Sequence, residues 1–523
     1  MPHISNIRFA ILLKLLLPLV FLSAGSFLQG TDKPNIVLFL VDDMGLMDSS
    51  VPFLTNEKGQ PQKHPLNEFY RTPNMERLAK QGSRLSQFYA MSVCSPTRVS
   101  IMTGQTSARH KTTQFIKPET NNAGTYGAQD WKWEGITKDH VTLPAELRKA
   151  GYRTIHSGKA HFGPNDSYGA DPTNIGFDIN IAGCAYGQPG SYYGEDHYGW
   201  AKKGREKRAV PGLEKYHGTD THLTEACTVE MNAAIKEAVD DGQPFFAYLS
   251  HYAVHTPFQS DPRFAENYAD EDKKSLAAFA TLIEGMDKSL GDVLDQLEKL
   301  GVAENTLVLF VGDNGSDAPV GDVHEVACAA PLRGKKGTHY EGGMRVPFIA
   351  AWAKPNAKNS HQIRFPIATN AINDREFGTV CDLYTTTLIA AGLNPTDPAV
   401  GQGKDGISLW PLFADGGKRQ FGFERRFLMH FPHSHRSAYY TAFRQGDWKL
   451  VYHYRHDPER GKIKWPQTEL FNLADDPYET TNLSEKDPDQ LRTMMDAMKT
   501  QLDLVDAQYP LADDKKSLLK PTL

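Results

Sequence analysis

A lone cysteine beside an arginine, two acidic strand ends and several histidine and lysine segments hold the reactive groups of this chain. Cys94 lies in VCSPTRVSIMTG, residues 93–104, where Pro96 suits the first turn of a helix and Val99, Ile101 and Met102 give that helix an apolar side. A cysteine entering a helix at its N-terminus meets free N–H groups and the macrodipole, which favour a thiolate, an alkoxide or a bound oxyanion. Arg98, one turn on, adds a fixed cation on the same side. The competing reading is a small buried cysteine without chemistry. Asp42 and Asp43 directly follow NIVLFLV (35–41), and Asp313 and Asn314 follow the apolar run 306–311, with Gly312 and Gly315 allowing tight turns around them. Such acids are either turn formers and caps or oxygen ligands of a cation, without which adjacent carboxylates repel each other. GKAHFG (158–163) carries Lys159 and His161, which project to one side if the segment is extended and are otherwise ordinary loop residues. HYAVHTPF (251–258) carries His251 and His255. HFPHSHR crowds His430, His433, His435 and Arg436 together. Zinc binding is one reading of that cluster, but carboxylate or cysteine partners at ligand spacing are missing, so a wall contacting sugar or sulfate is expected.

These groups need a scaffold that brings distant loops to one place. Residues 35–41 are an apolar, β-branched run that reads as a fully buried strand, 244–250 reads as another buried strand, 306–311 as an apolar strand and 152–157 as a strand, and 346–352 returns to the same sheet. Residues 143–150, 221–239 and 272–300 read as helices; in the last, Leu276, Phe279, Ile283, Leu290, Leu294 and Leu297 mark a core stripe of 3.6-residue period. A further helix opens at Thr72-Pro73, with Thr72 as N-cap, and ends at Gly82. Acids at the carboxyl ends of parallel strands point into the crevice where α/β sheets bind ligands. Residues 107–140 read as a long polar excursion near that crevice. Residues 183–198 and 202–208 read as a lid or cleft wall, with a solvated loop as the alternative. Beyond a boundary at 416–418 the pattern changes to short alternating strands (427–431, 439–444, 448–453) and a helix near 489–504, an antiparallel sheet with a helix on one face.

Size and charge narrow the function classes. A chain of 523 residues exceeds one ordinary core, so a large α/β domain with a smaller appendage is expected. Its 57 Lys and Arg against 63 Asp and Glu leave a net charge of −6, which gives no general reason to expect nucleic acid as a partner. An anionic substrate must then be held by local cations. Met1 to Arg8 is basic, and Phe9 to Phe27 is mostly apolar, interrupted by Lys14 and ending in small residues. That is the layout of a signal peptide over 1–30, and its unbroken apolar run is shorter than the ~20 residues of a membrane span. Export to a periplasm or to the outside is expected, with no stable membrane anchor. Cys184, Cys227, Cys328 and Cys381 either pair in one of three ways or remain four buried thiols.

Cys94, Pro96 and Arg98 reproduce a Cys-x-Pro-x-Arg motif, and on it the chain resembles the formylglycine-dependent sulfatases, in which that cysteine is oxidised after translation to an aldehyde. The family's usual continuation, Leu-Thr-Gly-Arg, is here Met102, Thr103, Gly104 and Gln105. The resemblance continues through TPNMERLAKQG (72–82), through Lys159 and His161 where the family has Gly-Lys-Trp-His-Leu-Gly, and through His255-Thr256-Pro257 as its His-x-Pro. Lys336 precedes Gly-x-x-Tyr-Glu-Gly-Gly, which leaves Lys335 facing solvent and His251 structural. It spans roughly 35 to 348, with weaker echoes in GDWKL and ELFNLADDPYETTNL.

The resemblance implies the alkaline phosphatase-like fold: α/β, a large mixed, mostly parallel sheet between helices, with a smaller C-terminal antiparallel sheet plus helix. Residues 31–416 would be the catalytic domain and 417–523 an α+β subdomain. It implies a metal set of Asp42, Asp43, Asp313, Asn314 and the modified Cys94, whose oxygens suit Ca²⁺ better than zinc, with Mg²⁺ as the lesser alternative. The catalytic set would be Cys94, Arg98, Lys159, His161, His255 and Lys336. The hydrated aldehyde attacks sulfur while Asp313 accepts its proton, His255 with Lys336 protonates the leaving alcohol, and His161 takes the second proton as sulfate departs. The expected partners are a formylglycine-generating maturation enzyme and a sulfated carbohydrate substrate. Two rival readings are a phosphodiesterase or phosphonate monoester hydrolase of the same superfamily, and a non-catalytic binding protein with Cys94 left as thiol.

Overall fold

The computed structural model describes residues 33–200, 208–418, 422, 425–455 and 465–522. The leader read at 1–30 and most of the basic segment at 202–208 lie outside the described residues. Fourteen strands occur among the described residues: β1 (Asn35–Val41), β2 (Gly82–Leu85), β3 (Phe88–Tyr89), β4 (Arg153–Gly158), β5 (Ile179–Ile181), β6 (Phe245–Ser250), β7 (Thr306–Gly312), β8 (Phe348–Trp352), β9 (Ala371–Asn373), β10 (Gly378–Thr379), β11 (Arg426–Ser434), β12 (Ala438–Gln445), β13 (Trp448–His453) and β14 (Thr468–Asn472). Eight form one sheet in the order β5-β4-β6-β1-β7-β8-β2-β9. Five of its seven ladders are parallel, and β8 alone runs antiparallel to its neighbours β7 and β2. The expected mixed, mostly parallel sheet is therefore present.

Every residue of β1 is buried, because both faces of the sheet are covered. Val37, Phe39 and Val41 point to one face, against Ile235 of the helix Leu223–Asp240 and Leu290 and Leu294 of the helix Lys274–Lys299. Ile36, Leu38 and Leu40 point to the other, against Val99 and Ile101 of the helix Cys94–Thr103, Leu147 of the helix Leu143–Lys149 and Leu383 of the helix Asp382–Ala390. A strict two-residue alternation thus feeds two cores from one continuous apolar run. The helix Lys274–Lys299 is the crossover that lets β7 lie parallel in a sheet with β6.

The C-terminal strands β11 to β14 form an antiparallel meander, and the helix Pro488–Leu504 covers one face by packing Met494, Met498 and Leu502 with Leu450 and Leu470. Buried contacts at Glu341 tie this sheet to the connection between β7 and β8 and to β3. Lys449 donates to Glu341 at 3.0 Å and to Glu479 at 2.6 Å, and the Tyr89 hydroxyl donates to Glu341 at 2.6 Å.

Two local expectations change. Thr72 stands at the start of the helix Pro73–Gln81 but bonds Ser50 instead of capping it. The free N–H groups of Asn74 and Met75 are taken by the Asp287 carboxylate at 3.0 and 2.8 Å, so a residue 213 positions away does the capping. Cys184, Cys227, Cys328 and Cys381 are all free, which selects the unpaired reading. No helix of the described residues is long and apolar enough to cross a membrane.

Phe39 sits at the centre of this packing, its ring 5.5 Å from Phe310 and 5.1 Å from His251. Phe39→Ala is expected to lower stability by about 3–5 kcal/mol, whereas Val229→Ala, at a position 45% exposed, changes it by less than about 0.5 kcal/mol. Chemical denaturation followed by tryptophan fluorescence measures both.

Candidate active site

Four adjacent parallel strands, β4, β6, β1 and β7, end at one edge of the sheet, and each continues into a segment that carries candidate site residues. β1 leads to Asp42 and Asp43, β7 to Asp313 and Asn314, β4 to Lys159 and His161, and β6 to His251 and His255. The register Val41↔Gly312 sets the two acidic ends side by side, and Leu40↔Ser250 and Gly158↔Ser250 bring the other two level with them. Cys94 opens its helix next to this edge, and Lys336 arrives from the long connection between β7 and β8.

Asp42, Asp43 and Asp313 are 0% exposed, and one oxygen from each lies within 4.8 Å of the other two. Cations surround them. Arg98 donates through Nε and Nη2 to one oxygen of Asp313, at 3.0 and 2.8 Å, and Nη2 lies 3.6 Å from Asp42. Lys159 donates to Asp42 at 2.6 Å and Lys336 to Asp43 at 2.6 Å. Asn314 donates through Nδ2 to Asp43 at 2.9 Å, which aims its carbonyl oxygen elsewhere. Asp42 Oδ1, Asp43 Oδ2 and Asn314 Oδ1 are buried and have no hydrogen-bond partner. Unpaired buried oxygens are costly, so three of them together, all from hard donors, fit a divalent cation. Burial, reinforced by Asp42, raises the Asp313 carboxyl to about 7. Burial acts the same way on Asp43, but His255 and Lys336 outweigh it and hold that group well below the usual carboxylate range.

The two histidines present different faces. His255 bonds the Thr256 carbonyl through Nδ1 at 2.9 Å, which leaves Nε2 3.5 Å from Asp43. Burial lowers its pKa to about 4 against the pull of Asp43, so the ring is neutral at pH 7. The Tyr192 hydroxyl bonds the carbonyls of Tyr252 and His255 at 2.7 and 2.8 Å and fixes that segment. His161 bonds the Ile116 carbonyl through Nε2 at 2.7 Å, and its Nδ1 is unpartnered. Its backbone is left-handed, φ 57°, so Lys159 and His161 converge by a turn and not by the extended alternation expected. Burial raises the Cys94 thiol above its ordinary value, so the helix N-terminus does not make it a thiolate.

Above these groups opens a cavity of about 430 Å³ lined by Cys94, His161, His255 and Lys336, and beyond them by Lys117, Trp200, Arg208, His435 and Arg436. All six expected catalytic side chains except the fully buried Arg98 and Lys159 therefore reach one space. The proposed sugar wall divides. His435 and Arg436 line the cavity, but His430 and His433 are 0% exposed. His430 bonds Thr441 and the Gln508 carbonyl, and His433 bonds Thr113 and the Ala123 carbonyl, because β11 is covered on both faces. Those two are scaffold. Lys335 also departs from expectation: it is 7% exposed and donates to the Val320 carbonyl, while His251 is the interior residue expected, bonded to Ser289. Asp317 was missed. It holds the Arg436 guanidinium at 2.5 and 3.0 Å at the cavity rim, and only its closeness to the Asp313 strand end could have signalled it. Lys117 and the Phe115–Pro118 segment were legible only as part of a polar excursion.

Comparison with known proteins agrees with this arrangement. A family model described as Sulfatase matches residues 34–393. A sulfatase of Formosa agariphila is 29% identical over 92% of this chain and 90% of its own length. The N-acetylgalactosamine-6-sulfatase of Mus musculus is 30% identical over 77% of this chain and 70% of its own. Among solved structures, Ps i-CgsB superimposes with a TM-score of 0.68 at 24% identity, covering 90% of this chain and 93% of that one. BT4656, solved in complex with D-glucosamine-2-N,6-O-disulfate, gives 0.60 at 17% identity, over 91% and 97%. With its alkaline phosphatase-like sheet and its strand-end cluster of acids and cations, the chain belongs to the sulfatase family, hydrolases of sulfuric ester bonds.

Proposed function

We propose that the protein releases inorganic sulfate from a sulfated saccharide, using formylglycine made from Cys94 and a divalent cation, Ca²⁺ in preference to Mg²⁺. The observation that carries this reading is the set of unpartnered buried oxygens on Asp42, Asp43 and Asn314 beside a cavity whose rim is cationic and aromatic. Relatives named as N-acetylgalactosamine-6-sulfatases, and neighbours solved with a neocarrahexaose and with a disulfated glucosamine, support a saccharide as the substrate class.

A cation bound by Asp42, Asp43, Asp313, Asn314 and the modified residue 94 would polarise a sulfate oxygen and favour ionisation of the nucleophile. Formylglycine would supply a hydrated aldehyde, which the protonated Cys94 thiol cannot replace. Arg98, Lys159 and Lys336 oppose the negative charge of the transferring group. Burial works against the Lys336 charge, but Asp43 beside it keeps its pKa above the ordinary lysine value, so it stays cationic. Asp313 accepts the nucleophile's proton. An anionic sulfate next to His255 favours its charged form, and the ring then passes its proton to the leaving oxygen. His161, with Nε2 committed to Ile116, offers Nδ1 as the base for the second proton. Lys117, Arg208, His435 and Arg436 face the rest of the sulfated chain, with Trp200 as an apolar surface for a sugar ring. The reading includes export by the leader at 1–30, an enzyme that oxidises Cys94, and a division at 416 between a catalytic domain and a C-terminal subdomain that lends His435 and Arg436 to the rim.

Mass spectrometry of the Cys94 peptide should find an aldehyde mass below that of the thiol, and unmodified cysteine in active protein would contradict the mechanism. Cys94→Ala should cut turnover at least about 10⁴-fold. His255→Ala should slow sulfate release from a sugar by about 10²–10⁴-fold while sparing an aryl sulfate whose acidic phenol needs no proton. Chelation should abolish activity and Ca²⁺ should restore it better than Mg²⁺, as read by sulfate release. Defined sulfated sugars should be hydrolysed faster than matched phosphate esters; activity confined to small aryl sulfates would refute the saccharide assignment.

A further inference from the structure

A second convergence of ligand atoms lies outside the cavity, where the C-terminal sheet meets the loop that carries Lys336. His339 belongs to that loop, His453 ends β13 and Glu469 lies on β14. All three are buried, at 0%, 4% and 5% exposure, and one donor atom from each lies within 4.8 Å of the other two. The pairing Val451↔Glu469 puts His453 and Glu469 on the same face of the sheet, one diagonal step apart. The Nε2 atoms of both rings approach a single oxygen of Glu469, at 3.2 Å from His339 and 2.9 Å from His453. His339 Nε2 nevertheless makes no hydrogen bond.

From this geometry we propose that His339, His453 and Glu469 bind a zinc ion. Two imidazoles and one carboxylate are a zinc donor set that leaves a fourth position for water, whereas Ca²⁺ and Mg²⁺ prefer oxygens alone. The surrounding bonds set the rings for it. His339 Nδ1 lies 2.9 Å from the Ser437 hydroxyl, and His324 Nε2 lies 3.0 Å from the same oxygen. The Ser437 hydroxyl can donate to only one of these two rings; where it donates to His324, His339 donates through Nδ1 and its Nε2 lone pair faces the Glu469 oxygen, an arrangement that a cation between them relieves. The second oxygen of Glu469 accepts from the Tyr340 hydroxyl at 3.2 Å, which orients the carboxylate from outside the ligand set. Trp465 stacks on His453 with its ring plane 9° away and centroid 5.4 Å off, limiting rotation of that ligand. His339 stands three residues after Lys336, and Ser437 follows Arg436, so the ion would pin the catalytic lysine's loop to the C-terminal sheet.

The test uses full-length protein stripped of metal, then held in saturating Ca²⁺ so that the all-oxygen cluster is filled. Titration with zinc alone should give one further equivalent bound per chain, with a rise in melting temperature. Zinc-edge X-ray absorption of that complex should show two imidazole ligands. His453→Ala should lose at least the ~10–100-fold in zinc affinity that removal of even an outer-shell partner costs. Zinc that fails to bind stoichiometrically, binds equally to folded His453→Ala, or shows no imidazole scattering overturns the proposal. Should that variant fail to fold, the absorption spectrum of the unmutated protein decides.

Discussion

Three carboxylates withdrawn from water at the ends of two neighbouring strands set the terms for the rest of this molecule. Burying one such charge costs several kcal/mol even after relaxation, and three together would drive the strand ends apart unless fixed cations met them. Arg98, Lys159 and Lys336 do so, each within 3.0 Å of a carboxylate oxygen. Three acids and three bases leave the cluster formally neutral. A bound divalent cation would turn that balance into two surplus positive charges, which match the doubly charged sulfate ion that the reaction produces. At Cys94, burial together with the neighbouring acids Asp42 and Asp313 outweighs Lys159 and Lys336 and raises the thiol above its ordinary value.

Parallel strands make the convergence possible. Only a sheet in which β4, β6, β1 and β7 run the same way delivers four successive loops to one edge, and crossover helices on both faces keep those strands dry along their whole length. Rigidity then comes from partners far away in the chain. Ser250 and the Lys159 carbonyl take Arg98 Nη1, at 2.6 and 2.8 Å, and the Ile116 carbonyl takes His161. Gly187 lies so close to His161 that a Cβ there would come within 2.6 Å of the ring, which accounts for a glycine in that wall.

The small sheet at the C-terminus acts on the catalytic edge as a clamp. Tyr440 bonds Ser92, two residues before Cys94, at 2.8 Å, and Arg436 bonds Asp317 and the Lys336 carbonyl. Lys449 joins Glu341 and Glu479 beneath the same loop. Lys449, Glu341 and Glu479 are almost fully buried, so the desolvation of their charges offsets much of what their pairing contributes to stability. The loop that carries Lys336 is thereby held from both sides of its span.

Strand identity, the long helices and the acidic strand ends were legible in the chain because each follows from local pattern: apolar runs of strand length, a 3.6-residue stripe, acids directly after β-branched residues. Cys94, Arg98, Lys159, His255, Asp313 and Lys336 were legible through the resemblance of their motifs to those of the sulfatases. What the chain could not disclose depends on which atoms lie opposite one another after folding. His430 and His433 look like surface ligands in HFPHSHR, yet both faces of β11 are covered, and only packing decides that. Asp287 caps a helix 213 residues away, and Asp317 finds Arg436 across 119. His339, His453 and Glu469 share no motif at all; strand register alone brings the last two together. Sequence thus determined which groups can ionise or bind a cation, since that chemistry belongs to side chains. Tertiary structure decided which of them face a common space without water, because burial and proximity belong to the fold.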